Sequence, residues 1–460
     1  MGLLDTLNSS RKGLSAATSG VQVVSNNVAN ASTVGYSRRS LTTATSDPVE
    51  RRGVLFGQGV DVSGIVRSHD RYLGMRLIDA VGDQARSNTA EESLRLTESW
   101  FNESQSTGIV ESYNAFLETL NRLTQDPSDV SLRTAAVHAA DNLATTTSRA
   151  ATGLTATISD MDSSFSTRFT EVNNLLTEIA ALNKTIGRSS DTTGNADLLD
   201  RRDQLIRDIA ALTGATAELE TDGQATVFLH GHAAVSGGDA RAVTLVTAAG
   251  APPAVYLAAD AGTINITSGL GGALGGLLDA RAYTEGYLDR LDDFAFTLAN
   301  TLNTTHAAGF DAYGAAGADL FVPPTALAGA AAALALDPNL DADANLLALS
   351  ANAGVVGDDG NLQNLLNFET ATPFTGALTG QEFLSSLLTE VGADLSAVSA
   401  DADARDAMVE DFDAMRTSVS GVDPDEEAMK LIEYQAAYRA AARVVTATDE
   451  MLRILTSLGA

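Results

Sequence analysis

Residues 423–458, Asp423-Pro-Asp-Glu-Glu-Ala-Met-Lys-Leu-Ile-Glu-Tyr-Gln-Ala-Ala-Tyr-Arg-Ala-Ala-Ala-Arg-Val-Val-Thr-Ala-Thr-Asp-Glu-Met-Leu-Arg-Ile-Leu-Thr-Ser-Leu458, read as one long helix. Pro424 suits its first helical position, and the acids behind it oppose the positive end of the helix dipole. Within it Leu431, Tyr434, Tyr438, Ala441, Val445, Thr448, Leu452 and Leu455 recur at alternating steps of three and four, seven of the eight apolar or aromatic. That is a heptad seam, a narrow stripe that needs a partner helix. The start of the chain carries its match: Leu3, Leu7, Ser10, Leu14, Ala17, Val21, Val24 and Val28. The simplest burial of both stripes pairs them with each other. The competing reading is two unrelated amphipathic helices, each on its own core.

The 460 residues suffice for two to four domains, and an apolar share of 44% makes the chain globular. It has no cysteine, which removes disulfides, thiolate chemistry and Cys-ligated metal. Aromatics are only 5%, while alanine is abundant, as suits closely packed helices. A net charge of −30 argues against nucleic acid as a partner, since phosphates would go unneutralised. The charge is uneven. Residues 1–86 hold ten Lys/Arg against seven Asp/Glu, a net +3, which leaves −33 for the rest. Asp5, Asn8, Arg11 and Lys12 interrupt any signal-peptide pattern, and no apolar run reaches membrane-spanning length.

Residues 3–30 form the expected first helix, stopped by Asn30-Ala-Ser-Thr-Val-Gly-Tyr. Residues 36–70 alternate among glycines and read as extended or hairpin connectors. Arg38, Arg39, Arg51 and Arg52 fall here, as a solvated strand edge or, second, a site for an acidic partner. Residues 71–213 are mainly helical, with a cap at Ser128 or Asp129. A core stripe runs through Leu154, Ile158, Met161, Phe165, Phe169, Val172, Leu176, Ile179, Leu182 and Ile186. After Gly214 the pattern turns β-like to about residue 268, then helical again from Gly275. Residues 322–375 are Ala-, Asp- and Asn-rich and resist assignment; helix returns over 381–420.

The expected class is therefore mainly α with an inserted antiparallel β domain. Residues 1–35 and 424–460 make a paired, coiled-coil assembly domain. Residues 36–213, 270–321 and 376–423 make a helical middle, 214–269 the β insert, and 322–375 an uncertain segment or second small insert. The glycine-marked ends of the β insert suggest that it can be removed at modest loop-closure cost.

Chemistry-bearing motifs are few. His230 and His232 lie two apart on an expected strand, without a third ligand. Asp341-x-Asp343-x-Asn345 imitates a calcium loop but has Leu346 and Asn352 where Gly and Glu belong. Gly269-Leu-Gly-Gly-Ala-Leu-Gly-Gly lacks the Lys-Ser/Thr of a phosphate loop and reads as the return from β to helix. No nucleophile elbow occurs. The reading is no enzyme, no cofactor and no metal.

Ser19-Gly-Val-Gln-Val-Val-Ser-Asn-Asn-Val-Ala-Asn-Ala-Ser-Thr-Val-Gly-Tyr-Ser-Arg-Arg39 resembles the N-terminal signature of the bacterial flagellar rod, hook and hook-associated axial proteins. Gly421-Val-Asp, Asp425-Glu-Glu, Tyr434-Gln and Tyr438 resemble the hook-associated members at the hook–filament junction rather than hook or rod proteins. Pro127-Ser-Asp with Arg133, and Gly271-Gly through Gly309-Phe-Asp to Gly314, are similar to the same group. Asp126 stands where the family has Asn before that proline. The resemblance implies a structural, non-enzymatic part of the flagellum, outside the cell, exported by the flagellar type III apparatus without a cleaved signal peptide. It implies terminal helices that line an inner tube, a middle that faces outward, and self-assembly in a ring or helical layer. Implied partners are the hook protein, the second junction protein (hook-associated protein 3) and an export chaperone on the C-terminal region, with no nucleic acid and no membrane. The expected assembly residues are Leu3, Leu7, Leu14, Val21, Val24, Val28, Leu431, Tyr434, Tyr438, Val445, Leu452 and Leu455. The alternatives are a hook or rod protein, or a secreted adhesin or enzyme that carries axial export ends.

Overall fold

The computed structural model describes residues 2–51, 53–101, 108–188, 195–248, 250–355 and 357–458. Helix α1 (Leu3–Ala29) leads into a two-part ribbon. In it β1 (Arg39–Thr45) pairs antiparallel with β4 (Val60–Arg67), and β2 (Val49–Arg51) with β3 (Val54–Phe56) at the tip. Helices α2 (Arg71–Glu98), α3 (Ile109–Leu123), α4 (Val130–Arg188) and α5 (Ala196–Thr213) follow. Two small antiparallel sheets come next. One contains β5 (Thr216–Leu219), β6 (Ala225–Leu229), β7 (His232–Ser236) and β8 (Asp239–Ala240); the other contains β9 (Val243–Ala248), β10 (Ala251–Ala259) and β11 (Gly262–Asn265). Helix α6 (Gly272–Ala307) returns to the bundle. A strap with α7 (Ala330–Ala333), α8 (Pro338–Ala342) and α9 (Gly360–Leu366) then leads to α10 (Gly380–Ser420) and α11 (Pro424–Leu458). No described helix is long and apolar enough to cross a membrane.

Helix α4 is the spine. Its 59 residues span roughly 88 Å. Asp129 starts it, its Oδ1 accepting the Ser131 and Leu132 N–H groups at 2.7 and 3.3 Å. Leu154, Phe165, Leu176 and Ile179 along the expected stripe are fully buried. Helices α2, α6 and α10 pack beside one another, while α3 and α5 lie on α4.

The β insert is laid on α4 rather than hung from it. Gly214, in the left-handed region at φ 67°, ends α5, and a β-carbon there would stand 2.6 Å from the Gly271 Cα. The points where the chain enters and leaves the insert therefore touch, with the Gly271 N–H donating to Thr213 O at 2.8 Å. Val227, Leu229, Val235, Val255 and Leu257 join the same apolar core as Val172, Leu176 and Ile179 of α4. Two asparagines on α4 act as false strand neighbours. Asn183 accepts the Ala225 N–H at 3.0 Å and donates to Ala225 O and Gly237 O. Asn173 accepts the Val243 N–H at 2.9 Å and donates to Val243 O. Closing the gap between Gly214 and Gly271 would cost little, but removal of the insert would uncover this face, so its removal is expected to be costly for a reason other than loop closure.

His230 lies in the turn, not on a strand. His230-Gly231 is the two-residue loop between β6 and β7, with both φ positive at 49° and 74°. No trio of His, Cys, Asp or Glu suited to a metal ion occurs among the described residues.

The strap is tied down by buried polar groups. Arg133 donates to the carbonyls of Pro127 and Leu347, both at 2.7 Å. Asp292 accepts the Gly329 and Ala331 N–H groups at the start of α7. His306, fully buried, bonds Ala318 O through Nδ1 at 2.6 Å and accepts the Ala348 N–H at Nε2 at 2.8 Å. That pair of partners fixes a neutral ring, and burial holds its pKa below the ordinary 6.5. The unfolded chain takes up a proton first, so stability contributed here is whole above about pH 6.5 and falls as the pH drops below it. Thermal unfolding from about pH 7.5 to about pH 5.5 should show the loss. His306→Gln should melt lower at the upper pH yet change less across the range; equal slopes would rule His306 out as the source.

Candidate assembly interface

Helices α1 and α11 pair along their length, in antiparallel fashion. Their register advances seven residues at a time on both helices. A β-carbon at Gly13 would sit 3.8 Å from the Ala441 Cβ, and one at Gly20 only 2.4 Å from the Tyr434 ring. At the next step the Asn27 amide meets the Glu427 carboxylate at 2.8 Å. Glycine is thus required at Gly20 by the tyrosine that covers it.

The structure places most seam residues between the helices. Ala17, Val24 and Thr448 are buried; Leu3, Leu7, Ser10, Leu14, Val21, Leu431, Tyr434, Ala441, Val445 and Leu452 are half-buried. Val28, Tyr438 and Leu455 are not covered, being 48%, 47% and 56% exposed. Each has a geometric cause. At the level of Val28 the neighbouring Asn27 turns inward instead. Tyr438 lies opposite small Ala16 and Ala17 and leans out, lining an open groove of about 440 Å³ with Thr18, Val21, Gln435 and Arg439. Leu455 extends past the first turn of α1 in this register. Besides these, Leu4, Met429, Ile432, Val444, Met451 and Ile454 are exposed, so the pair carries uncovered apolar surface on its outside.

A polar joint closes the ribbon end of the pair. Asn27 is fully buried, and its amide is saturated. Nδ2 donates to Glu427 Oε2 and Arg39 O, both at 2.8 Å, while Oδ1 accepts the Tyr36 hydroxyl at 2.8 Å and the Arg39 N–H at 3.0 Å. Arg38 donates its N–H to Ser420 O at 2.8 Å and pairs with Glu426 at 2.7 Å. Lys12, a turn and a half along α1 from Thr18, reaches Asp61 on β4 at 2.8 Å.

Arg39 and Arg67 are register partners on β1 and β4, like charges side by side. The acidic face of α5 makes this tolerable. Arg39 pairs with Asp197 and, at 3.6 Å, with Asp200; Arg67 pairs with Asp200 at 3.1 Å and Asp203 at 2.7 Å. Burial alone would push the Asp203 carboxyl up, but Arg202 and Arg67 beside it outweigh burial and hold it below the usual range. Arg38 and Arg39 are therefore not a solvated strand edge: their acidic partners lie in the same chain. Arg52 and the side chain of Arg51 lie outside the described residues.

A groove of about 940 Å³ between α2, α6 and α10 offers no comparable construction. Its arginines are already paired, Arg86 with Asp279 and Arg405 with Asp83 and Asp401.

Comparison with known proteins follows the same division of the chain. Residues 7–36 match the model described as flagella basal body rod protein, and residues 416–458 that of the flagellar basal body rod FlgEFG protein C-terminal. Residues 94–321 match the flagellar hook-associated protein FlgK helical domain. The flagellar hook-associated protein 1 of Salmonella typhimurium (strain LT2) is 27% identical over 68% of this chain and 59% of its own length. That of Bacillus subtilis (strain 168) is 25% identical over 98% of each. The solved flagellar hook junction protein FlgK from Burkholderia pseudomallei superposes with a TM-score of 0.66 at 15% identity, covering 75% of this chain and all of that one, a likeness of fold. The chain spans about 59% of the length of the Salmonella relative.

Rod-type ends that pair into one helical hairpin define a bacterial flagellar axial protein. With the hook-associated helical domain between those ends, the chain is similar along its length to flagellar hook-associated protein 1, and the relatives that carry that name are flagellar components.

Proposed function

We propose that this chain is the structural adaptor between hook and filament, with no catalytic role. The observation that carries the reading is the helix pair itself. Its outer surface stays apolar at Leu4, Ile432, Val444, Met451 and Ile454, while the middle of the chain seals its own core around α4. Apolar surface of this kind is stable in water when neighbouring copies cover it. In this reading the pair lines the inner tube and packs in a ring or helical layer on the hook protein, with hook-associated protein 3 on the other side. Export runs through the flagellar type III apparatus without a cleaved signal peptide, helped by a chaperone on the C-terminal region. Free in solution the protein is then mainly monomeric, with the far end of the helix pair less protected from protease than the joint.

The test is a deletion strain viewed by negative stain. Hooks without filaments, restored to filaments by this gene, are expected. Motile cells with normal filaments would refute the reading and favour a secreted protein that merely borrows axial ends.

A further inference from the structure

We propose that Asn27 and Glu427 are a positioning pair: they couple the pairing of the two chain ends to the seating of the β1/β4 ribbon, and through it to the helical domain. The inference rests on the proposed role in assembly and adds how the assembly end is aimed.

Asn27 falls on the heptad step of Gly13 and Gly20, where the seam would otherwise be apolar. A polar residue at one seam position costs stability and specifies register. Tyr434 over Gly20 selects a register by shape, but Ala16 and Ala17 beside it are small and add little to that selection. Asn27 fixes the register by hydrogen bonding, because its four partners come from three separate segments. Glu427 Oε2 is on α11, Tyr36 is in the turn after α1, and the N–H and C=O of Arg39 begin β1. The Glu427 side chain is also fully buried, and its other oxygen takes the Lys430 ammonium at 2.8 Å. A slip of α11 by one turn would leave a buried amide and a buried carboxylate unmatched.

From Arg39 the bonds continue outward. Its guanidinium, with that of Arg67, holds the acidic face of α5. Asn27 thus touches both the partner helix and the backbone of the ribbon that grips the helical domain. The signature stretch Ser25-Asn-Asn-Val-Ala-Asn through Arg39 is, in these terms, one folding unit whose missing member is supplied from 400 residues away.

The test is a charge-swap cycle in a strain lacking the chromosomal copy. Asn27→Asp sets two carboxylates face to face and removes the donor to Arg39 O. It should be exported normally but reduce filaments by about tenfold or more. Glu427→Gln alone keeps an acceptor for Asn27 and should change filaments by no more than about twofold. The double variant N27D/E427Q, in which the new amide can donate to the new carboxylate, should recover most of the loss. The purified single variant should melt as wild type does, since the helical domain keeps its own core. Failure of the double variant to recover, or undiminished filaments with Asn27→Asp, would overturn the pair. So would a large fall in melting temperature, which would make Asn27 a residue of the fold. Failure of the wild-type gene to restore filaments would instead refute the proposed function.

Discussion

Val24→Asp is expected to yield a protein that melts normally and reaches the culture medium, yet leaves hooks bare. Val24 is 2% exposed and lies on the α1 seam near the level of Leu431. An ionised carboxylate kept there would cost several kcal/mol, of the order that isolated burial of a charge imposes. The helix pair can avoid that cost only by opening. Nothing in the helical middle depends on the pair for its core, because Leu154, Phe165, Leu176 and Ile179 are sealed by their own neighbours. Filament number should therefore fall by two orders of magnitude or so while thermal unfolding of the middle hardly moves. Val445→Asp makes a graded control. Val445 is only half-buried, so the same carboxylate stays partly solvated and the defect should be smaller. A Val24→Asp protein that melts far lower than wild type would place the seam inside the monomer's fold. Full motility would show that the pair is not an assembly element. Export must be measured in the medium, above all for Val445→Asp, since the chaperone proposed for the C-terminal region would, if its site on α11 were spoiled, leave bare hooks by another route.

The pairing of the ends was legible because both stripes keep one period over eight positions, and length sharpens a periodic signal. The limits of α11, α10 and the β insert were legible for a local reason. Proline, glycine and acidic caps act within a turn of where they stand, as Pro424 and Gly214 do. Tyr438 and Leu455 show where periodicity stops informing. Both hold the right phase, but one lies opposite alanines too small to cover it and the other extends past its partner. Neither fact exists until the register between two helices is known.

The joint was hidden for the opposite reason. Asn27 looks like one more polar residue on a solvated face, and Glu427 like one more acid at a helix start. Their value depends on meeting each other. The same is true of Arg39, whose charge reads as solvated until α5 presents Asp197 and Asp200. The available hint was that Gly13, Gly20 and Asn27 step by seven while Ala441, Tyr434 and Glu427 step by seven in reverse. A search for apolar residues passes over it.

The other large effect concerns the β insert. Residues 215–270 replaced by a short Gly/Ser linker should give a protein that is insoluble or melts more than about 10 °C lower, even though the cut ends already touch. Loop closure is not the obstacle, since Gly214 and Gly271 are in backbone contact. The obstacle is the face left behind. Val172, Leu176 and Ile179 are buried in a core that the insert's strands help to close, and Ile186 is buried against the insert's turn at Gly223. Each such side chain returned to water costs about 1.5–3 kcal/mol, so even partial exposure of the four rivals the whole stability of a domain. Asn173 and Asn183 would lose their strand partners as well, though in water they would find others. Those two residues allow the contributions to be separated. Asn183→Ala in the intact protein leaves the Ala225 N–H and the carbonyls of Ala225 and Gly237 short of a partner, for about 2–4 kcal/mol. That variant should fold and melt measurably lower, while the excision should fail outright. An excised protein that stays soluble and melts near wild type would mean that α5 and α6 can close over α4 without the insert.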